Sequence, residues 1–189
     1  MPGFIVVYDA CVLYPAPLRD FLIELASSGL FHAKWTDEIH EEWISNLLIN
    51  RTDLTRENLE RTKQLMDSAI LDCKVFGYEQ LIPAISCPDE NDRHVIAAAV
   101  HARAGAIITF NLKDFPAETL SAYNTQALHP DEFITRQGSL DPVCVVMAAQ
   151  RCRQRLKRPP MAADEYLDVM SAQGLTKTVQ LLSQHMASL

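Results

Sequence analysis

Residues 92–114 read DRHVIAAAVHARAGAIITFNLKD, and this stretch decides the fold. From His94 to Ala104 the chain is Ala-rich and reads as a helix, closed by Gly105. Ala106-Ile107-Ile108-Thr109-Phe110 then leaves that cap as a strand. The same alternation runs upstream. Phe4 to Tyr8 is a short, β-rich apolar run that reads as a buried strand, and Pro15 and Pro17 break the chain after it. A helix is expected from about Leu18 to Ser28, with Leu18, Phe21, Leu22 and Leu25 as its apolar stripe and Gly29 at its C-terminal cap. Phe31 to Trp35 suits a second strand. Thr36 then caps a helix reaching about Ile49, with Asp37 and Glu38 in its first turn, and Thr55 heads another through Leu71. Strands and helices alternating through short links specify a parallel sheet covered on both faces, an α/β/α sandwich. Ligands of such sheets bind beyond the carboxyl ends of the strands. That rule points to Asp9 and to Asn111 through Asp114.

The 189 residues carry 17 Lys plus Arg against 24 Asp plus Glu, a net charge of −7. With 48% hydrophobic and 22% charged residues, the composition is that of a globular domain, which excludes a disordered tail, a collagen-like chain and a disulfide scaffold. The negative balance also argues against a generic basic nucleic-acid coat. The charge is unevenly placed. Of these residues, 6 basic and 4 acidic ones fall in 139–189, leaving 11 and 20 in 1–138. Two units are expected: an α/β domain over 1–138 and a helical C-terminal extension over 139–189. The extension begins with Asp141-Pro142, an N-cap followed by proline at the first helical position, and that helix should end near Pro159-Pro160. Ala162 to Ser171 and Thr176 to Met186 are two further helices, with Gly174 between them. The N-terminal apolar run has no cationic lead-in and is cut by Asp9, so neither a signal peptide nor a membrane span is expected. Five cysteines, odd in number and without a C-x-x-C pair, fit reduced thiols and a cytoplasmic location. No phosphate-cradling or dinucleotide-binding glycine motif is present, and the histidines and cysteines have no zinc spacing.

Four acids stand out by placement. Asp9 ends the first strand, Glu42 sits in mid-helix, Asp92 precedes the Ala-rich helix, and Asp114 follows the Thr109-Phe110-Asn111 strand end. Carboxylates brought to one sheet edge repel one another unless cations intervene, and hard oxygen ligands in that arrangement suit Mg²⁺ or Mn²⁺. Such ions activate water and stabilise the leaving oxygen in phosphodiester cleavage. Each acid taken singly is equally a solvated surface group or a helix cap.

Four segments in order resemble the motifs of PIN-domain ribonucleases. Ile5-Val6-Val7-Tyr8-Asp9-Ala10-Cys11-Val12-Leu13 is similar to the opening strand, and Trp35-Thr36-Asp37-Glu38-Ile39-His40-Glu41-Glu42-Trp43 to the second motif. Pro88-Asp89-Glu90-Asn91-Asp92-Arg93-His94-Val95-Ile96 is similar to the third, and Ile107-Ile108-Thr109-Phe110-Asn111-Leu112-Lys113-Asp114-Phe115-Pro116 to the fourth. The resemblance spans residues 4–116 and is nearest to the toxin-type members of bacterial toxin–antitoxin pairs, of the VapC kind. It implies a metal-dependent endoribonuclease that hydrolyses RNA with a metal-activated water, is held inactive by a cognate antitoxin protein, and forms a homodimer. It makes Asp9, Glu42, Asp92 and Asp114 the catalytic acids, with Asp9, Asp92, Asn111 and Asp114 as ligands of Mg²⁺ or Mn²⁺. Asn111 occupies a place where many members carry an acid, and Asp114 three residues on can supply that carboxylate. Counting does not choose between Glu41 and Glu42. The resemblance favours Glu42, because the family's acid directly precedes an apolar residue, here Trp43. Cys11 also departs from the family, which often has Asn or Ser two residues after the first Asp.

Asp89 reads as a turn cap or an extra ligand, and His94 as a helix-face histidine without a catalytic part or as a general acid–base, on which the family does not depend. Arg19 and Lys113 flank the expected metal edge, where they could touch phosphate. Arg151, Arg153, Arg155, Lys157 and Arg158 place five cations in eight residues, suited to an RNA backbone, to an acidic partner, or simply to a helix C-terminus. The rival reading is a catalytically weak PIN-fold RNA-binding or scaffold module, which Asn111 keeps open. A phosphatase of the haloacid type would want a second Asp where Cys11 stands.

Overall fold

A computed structural model of the chain describes residues 3–157 and 159–189. Strand β1 (Ile5–Tyr8) runs into a one-turn helix α1 (Ala10–Leu13) and then α2 (Ala16–Ala26). Strand β2 (His32–Lys34) leads to α3 (Asp37–Asn50) and α4 (Arg56–Ala69). Next come α5 (Arg93–Ala102), β3 (Ala106–Ile108), α6 (Ala117–Ser121), β4 (Gln126–Leu128) and α7 (Pro130–Leu140). The chain closes with α8 (Pro142–Arg155), α9 (Ala163–Ala172) and α10 (Thr176–Ser183). The four strands form one parallel sheet in the order β2-β1-β3-β4. This is the expected α/β sandwich with C-terminal helices.

The sheet order explains where the site must lie. β2 lies on one side of β1 and β3 on the other, so the winding reverses between β1 and β3. A crevice opens beyond their carboxyl ends at that reversal. Asp9 follows β1 there and donates its backbone N–H to Ile108 O at 3.1 Å, while Thr109 continues β3. Both central strands are buried on both faces, which is why they read as continuous apolar runs rather than alternating ones.

Local signals fall where the helices begin. Thr36 Oγ1 accepts from Ile39 N at 3.0 Å, Thr55 Oγ1 from Asn58 N, and Asp141 Oδ1 from Cys144 N. Two details differ from expectation. The left-handed residue that ends α5 is Arg103 (φ 54°), not Gly105. Gly105 is needed for another reason: the Phe4 ring lies where a Cβ would stand. β3 stops at Ile108, so Thr109 and Phe110 are free to turn into the site.

Helix α3 is anchored by a buried polar chain. Trp43 Nε1 donates to His40 Nδ1 at 3.0 Å. Nδ1 is therefore the acceptor, and Nε2 carries the proton to Asp67 Oδ1 on α4 at 2.9 Å. Trp35 Nε1 donates to the same oxygen at 2.8 Å. Burial pushes the His40 pKa down, opposed by Asp67, so the ring packs as a neutral wedge between the two tryptophans.

The C-terminal helices are tied to the α/β layer by charge. Arg151 Nη1 lies 3.2 Å from Oε1 of the buried Glu24 on α2, and Arg155 Nη2 donates to its Oε2. Arg153 donates to the Leu189 and Met161 carbonyls at 2.7 and 2.8 Å. Three cations of the basic run thus have partners within the chain, while Arg151 and Arg155 keep more than half of their side-chain surface exposed; Arg158 lies outside the described residues. α7 runs through residue 138 and supplies a further tie. Asp131 accepts from Lys177 N (2.9 Å), Thr178 N (2.8 Å) and Thr178 Oγ1 (2.8 Å), so it caps α10, whose own N-cap position is Leu175. Replacing Asp131 with Ala leaves buried amide donors without acceptors and should cost about 2–3 kcal/mol, as one lost cap plus a desolvated donor. Urea unfolding of the two proteins, compared at their midpoints with unchanged slope, measures it.

Candidate functional site

The crevice is built around Asp9. Its side chain is almost wholly buried, and it takes both side-chain donors on one oxygen: Thr109 Oγ1 at 2.6 Å and Cys11 Sγ at 3.1 Å, each to Oδ2. Cys11 Sγ also lies 3.3 Å from Thr109 Oγ1 and accepts from Phe110 N at 3.3 Å, while Asn111 N donates to Thr109 Oγ1 at 2.9 Å. Cys11 therefore supplies the hydrogen bond that an Asn or Ser would give at that place. Burial raises the Asp9 pKa and the charge of Glu42 adds to it, with the Thr109 and Cys11 donors pulling the other way. Burial, with the charge of Asp9, pushes the Cys11 thiol far above its usual range, so it acts here as a hydrogen-bond donor and not as a nucleophile.

On α3 the two adjacent glutamates separate. Glu41 is exposed and pairs with Arg56 Nη2 at 2.7 Å, which with Ser45 holds its pKa down to about 2. Glu42 turns the other way, with Oε2 at 3.5 Å from His94 Nε2. His94 is buried near the start of α5, and its Nδ1 lies 3.7 Å from Glu38 Oε2, which also accepts from Tyr78 Oη at 3.0 Å. Burial acts to lower the His94 pKa, but Glu42, Glu38 and Asp9 outweigh it and the pKa rises. A side chain read from sequence as an idle helix-face histidine thus stands between two acids of another helix. Only its spacing, two residues after Asp92, hinted at this.

Asp92 ends the turn Glu90–Asp92 that enters α5. Half burial and then the charges of Asp9, Asp89, Glu42 and Asp114, in that order, push its pKa up to about 7. The acids of four separate segments thus act on one another's charge. Asp114 sits in the turn Leu112–Asp114 at the rim, partly exposed. Asn111 is exposed, and only its backbone N–H is tied to the site, through Thr109. Asp89 caps its own turn, accepting from Asn91 N at 2.9 Å. Among the described residues, no three His, Cys, Asp or Glu side chains are gathered closely enough to enclose an ion. The donor set still fits a hard divalent cation: its members are oxygen acids, and the charges that add to burial in raising the Asp92 pKa are what such a cation relieves.

Two expected phosphate contacts fare differently. Arg19 is 7% exposed, donates Nη1 to Leu13 O at 2.9 Å and lies over the Trp43 ring, so it is not at the acid edge. Lys113 is exposed in the turn beside Asp114.

A family model described as PIN domain matches residues 5–113, more than half of the chain. A second, described as VapC50 C-terminal domain, matches residues 130–184. The chain is 39% identical over 98 residues to a protein of Mycobacterium tuberculosis named "Putative ribonuclease VapC50", a match covering 52% of this chain and 57% of that protein. The chain thus spans little more than half the length of that relative. No solved structure matches the chain.

The Asp92 carboxyl gives a testable sign. Folding lifts its pKa from 3.8 to about 7. The protonated form therefore supports the fold at pH below the ordinary carboxylate pKa, and that support is lost as pH rises through about 7. Asn at this position stays neutral. In chelator-containing buffer above about pH 8, Asp92→Asn should be more stable than the parent by about 1–2 kcal/mol after solvent screening, and the gap should close toward about pH 4. Thermal melts across that range measure it.

Proposed function

The chain belongs to the PIN domain family, and from that premise we propose that it is a Mg²⁺- or Mn²⁺-dependent endoribonuclease acting as the toxin of a type II toxin–antitoxin pair. The observation that carries this reading is the crowding of Asp9, Glu42, Asp92 and Asp114 at the β1/β3 crevice, where burial and then the neighbouring acids lift Asp92 to about 7. The likeness to a protein named as a ribonuclease supports the substrate class.

Asp9, Asp92 and Asp114 would hold the cation, with Asn111 reaching it through its amide oxygen or a water. Such an ion lowers the pKa of water and offsets charge on the departing oxygen. The protein's own part is positional. Thr109 and Cys11 fix the Asp9 carboxylate by one oxygen, leaving Oδ1 without a side-chain donor among the described residues. Glu42 and Glu38 hold the His94 ring between them, so that Glu42 is aimed inward from a helix anchored by His40 and Trp43.

The reading includes a cytoplasmic location, which the five free cysteines fit, a cognate antitoxin as partner, and a homodimer. Among the described residues no helix is long and apolar enough to cross a membrane. The helical unit from residue 139 onward, joined by α7, is a part of the same functional protein. The second reading, a catalytically weak RNA-binding or scaffold module, is favoured by one observation: an exposed Asn111 where an acid is usual.

Three outcomes are expected in one assay. With Mn²⁺ or Mg²⁺ the protein cleaves RNA; Asp9→Asn lowers the rate by roughly 100-fold or more, and Thr109→Val by about 10–100-fold, as for groups that orient metal ligands. Chelation abolishes cleavage and weakens RNA binding. Equal cleavage by parent and Asp9→Asn would refute the site. Failure to bind Mn²⁺ in a direct titration would favour the second reading.

A further inference from the structure

Two elements that carry site acids lead away from the acid edge to a common place. α1 begins just after Asp9 and ends at Leu13, with Tyr14 following, and α3 carries Glu42 and, five residues on, Leu47. At 1.5 Å per residue these are rises of about 6–8 Å along the helix axes, with Leu47 turned about 140° round α3 from Glu42. Both reach a cleft of about 390 Å³ whose far wall is formed by α4.

The cleft has an apolar floor, including the buried Leu59 and the half-buried Leu54. The rest of its lining is polar in a particular way. Arg19 is more than nine-tenths buried and uses Nη1 on the Leu13 carbonyl, but its Nε is buried with no hydrogen-bond partner, and Asp20 Oδ1 stands 4.0 Å from it. The guanidinium lies over the Trp43 ring, which leaves Nε as its unpartnered donor in the wall of the cleft. The side-chain amides of Asn58 and Gln173 make no hydrogen bond among the described residues, and the half-exposed Tyr14 ring stands at the edge. An aromatic edge, free amides that both donate and accept, an under-paired guanidinium and an apolar floor form the chemistry that receives an unstacked base of single-stranded RNA. Gln173 follows α9, so the C-terminal unit completes this cleft.

We infer that the cleft between α2, α3 and α4 is a nucleotide subsite, which takes the base neighbouring the cleaved phosphodiester and reads it through Asn58 and Gln173. The inference rests on the RNA-cleaving function proposed above. It assigns the helical extension a part in substrate choice.

The test uses the full chain and two readouts. In the first, each of the four ribonucleoside 5′-monophosphates is titrated in chelator-containing buffer while backbone amide signals are followed. At least one should shift the signals of Tyr14, Asn58 and Gln173, and the surface variant Asn58→Ala/Gln173→Ala should weaken that binding by about fivefold or more. In the second, short RNAs differing in the base beside the cut are cleaved. The double variant should flatten the base preference and raise KM by about tenfold, with kcat within about twofold. No mononucleotide shift at the cleft, or equal binding by parent and variant, overturns the inference. A cleft that serves a partner polypeptide instead would give that same negative result, with unchanged base preference. If mononucleotides bind there as expected while no RNA is cut in an Asp9-dependent manner, the nucleotide cleft stands and the nuclease reading alone falls.

Discussion

A carboxylate buried at the end of a central strand has to be satisfied there, and Asp9 is satisfied by the neighbouring strand. Thr109 and Cys11 donate to one of its oxygens, and Thr109 in turn receives Asn111 N. This small network closes the β1/β3 reversal, turns the chain after β3 toward the crevice, and sets the position from which Asp114 and Asn111 leave. Burial raises the pKa of Asp9 and of Asp92 alike, and the neighbouring acids add to both shifts. The site is thus poised by repulsion: it holds the negative charge that a cation would need, at a cost to the protein alone.

The other acids are presented by elements with their own anchors. α3 is wedged by His40 between Trp35, Trp43 and Asp67, so the direction of Glu42 follows from buried packing and not from its solvent-side neighbours. Glu38 and Glu42 then share His94, which links α3 to the start of α5 immediately beyond Asp92. The net charge of −7 acquires a meaning from this arrangement. Arg151 and Arg155 pair with the buried Glu24 and Arg153 with backbone carbonyls, while the acid excess stays with the α/β part of the chain. Weak phosphate affinity without metal is the physical consequence.

Much of the fold was legible because its signals are local. Thr36, Thr55 and Asp141 cap the helices that their sequence positions promise, and the apolar runs of β1 and β3 announce strands buried on both faces. Asp9, Asp92 and Asp114 were legible for a related reason: they lie at a strand end, a helix start and the turn after a strand, where parallel-sheet geometry brings ligands, whereas Glu42, in mid-helix, was picked out by the resemblance. Residues 117–140 carried no comparable signal. β4 is three residues long, and α7 is recognised chiefly by what it packs against. Arg103, not Gly105, takes the left-handed turn after α5, while Gly105 stands where the Phe4 ring leaves no room for a Cβ.

By itself the sequence determined the alternation of strands and helices, the order of the acids along the chain, and the segregation of charge between its two parts. These depend on backbone propensity and on neighbours a few residues away. Only the tertiary structure decided which groups face one another. It separated Glu41, paired with Arg56, from Glu42, turned to the crevice. It placed His94 between two glutamates some fifty residues upstream, took Arg19 away from the acid edge, used the arginines of α8 on Glu24, and let Asp131 cap a helix 45 residues distant. Contacts of this kind depend on how whole elements pack, and an isolated charge in a sequence carries no record of the partner that packing will give it.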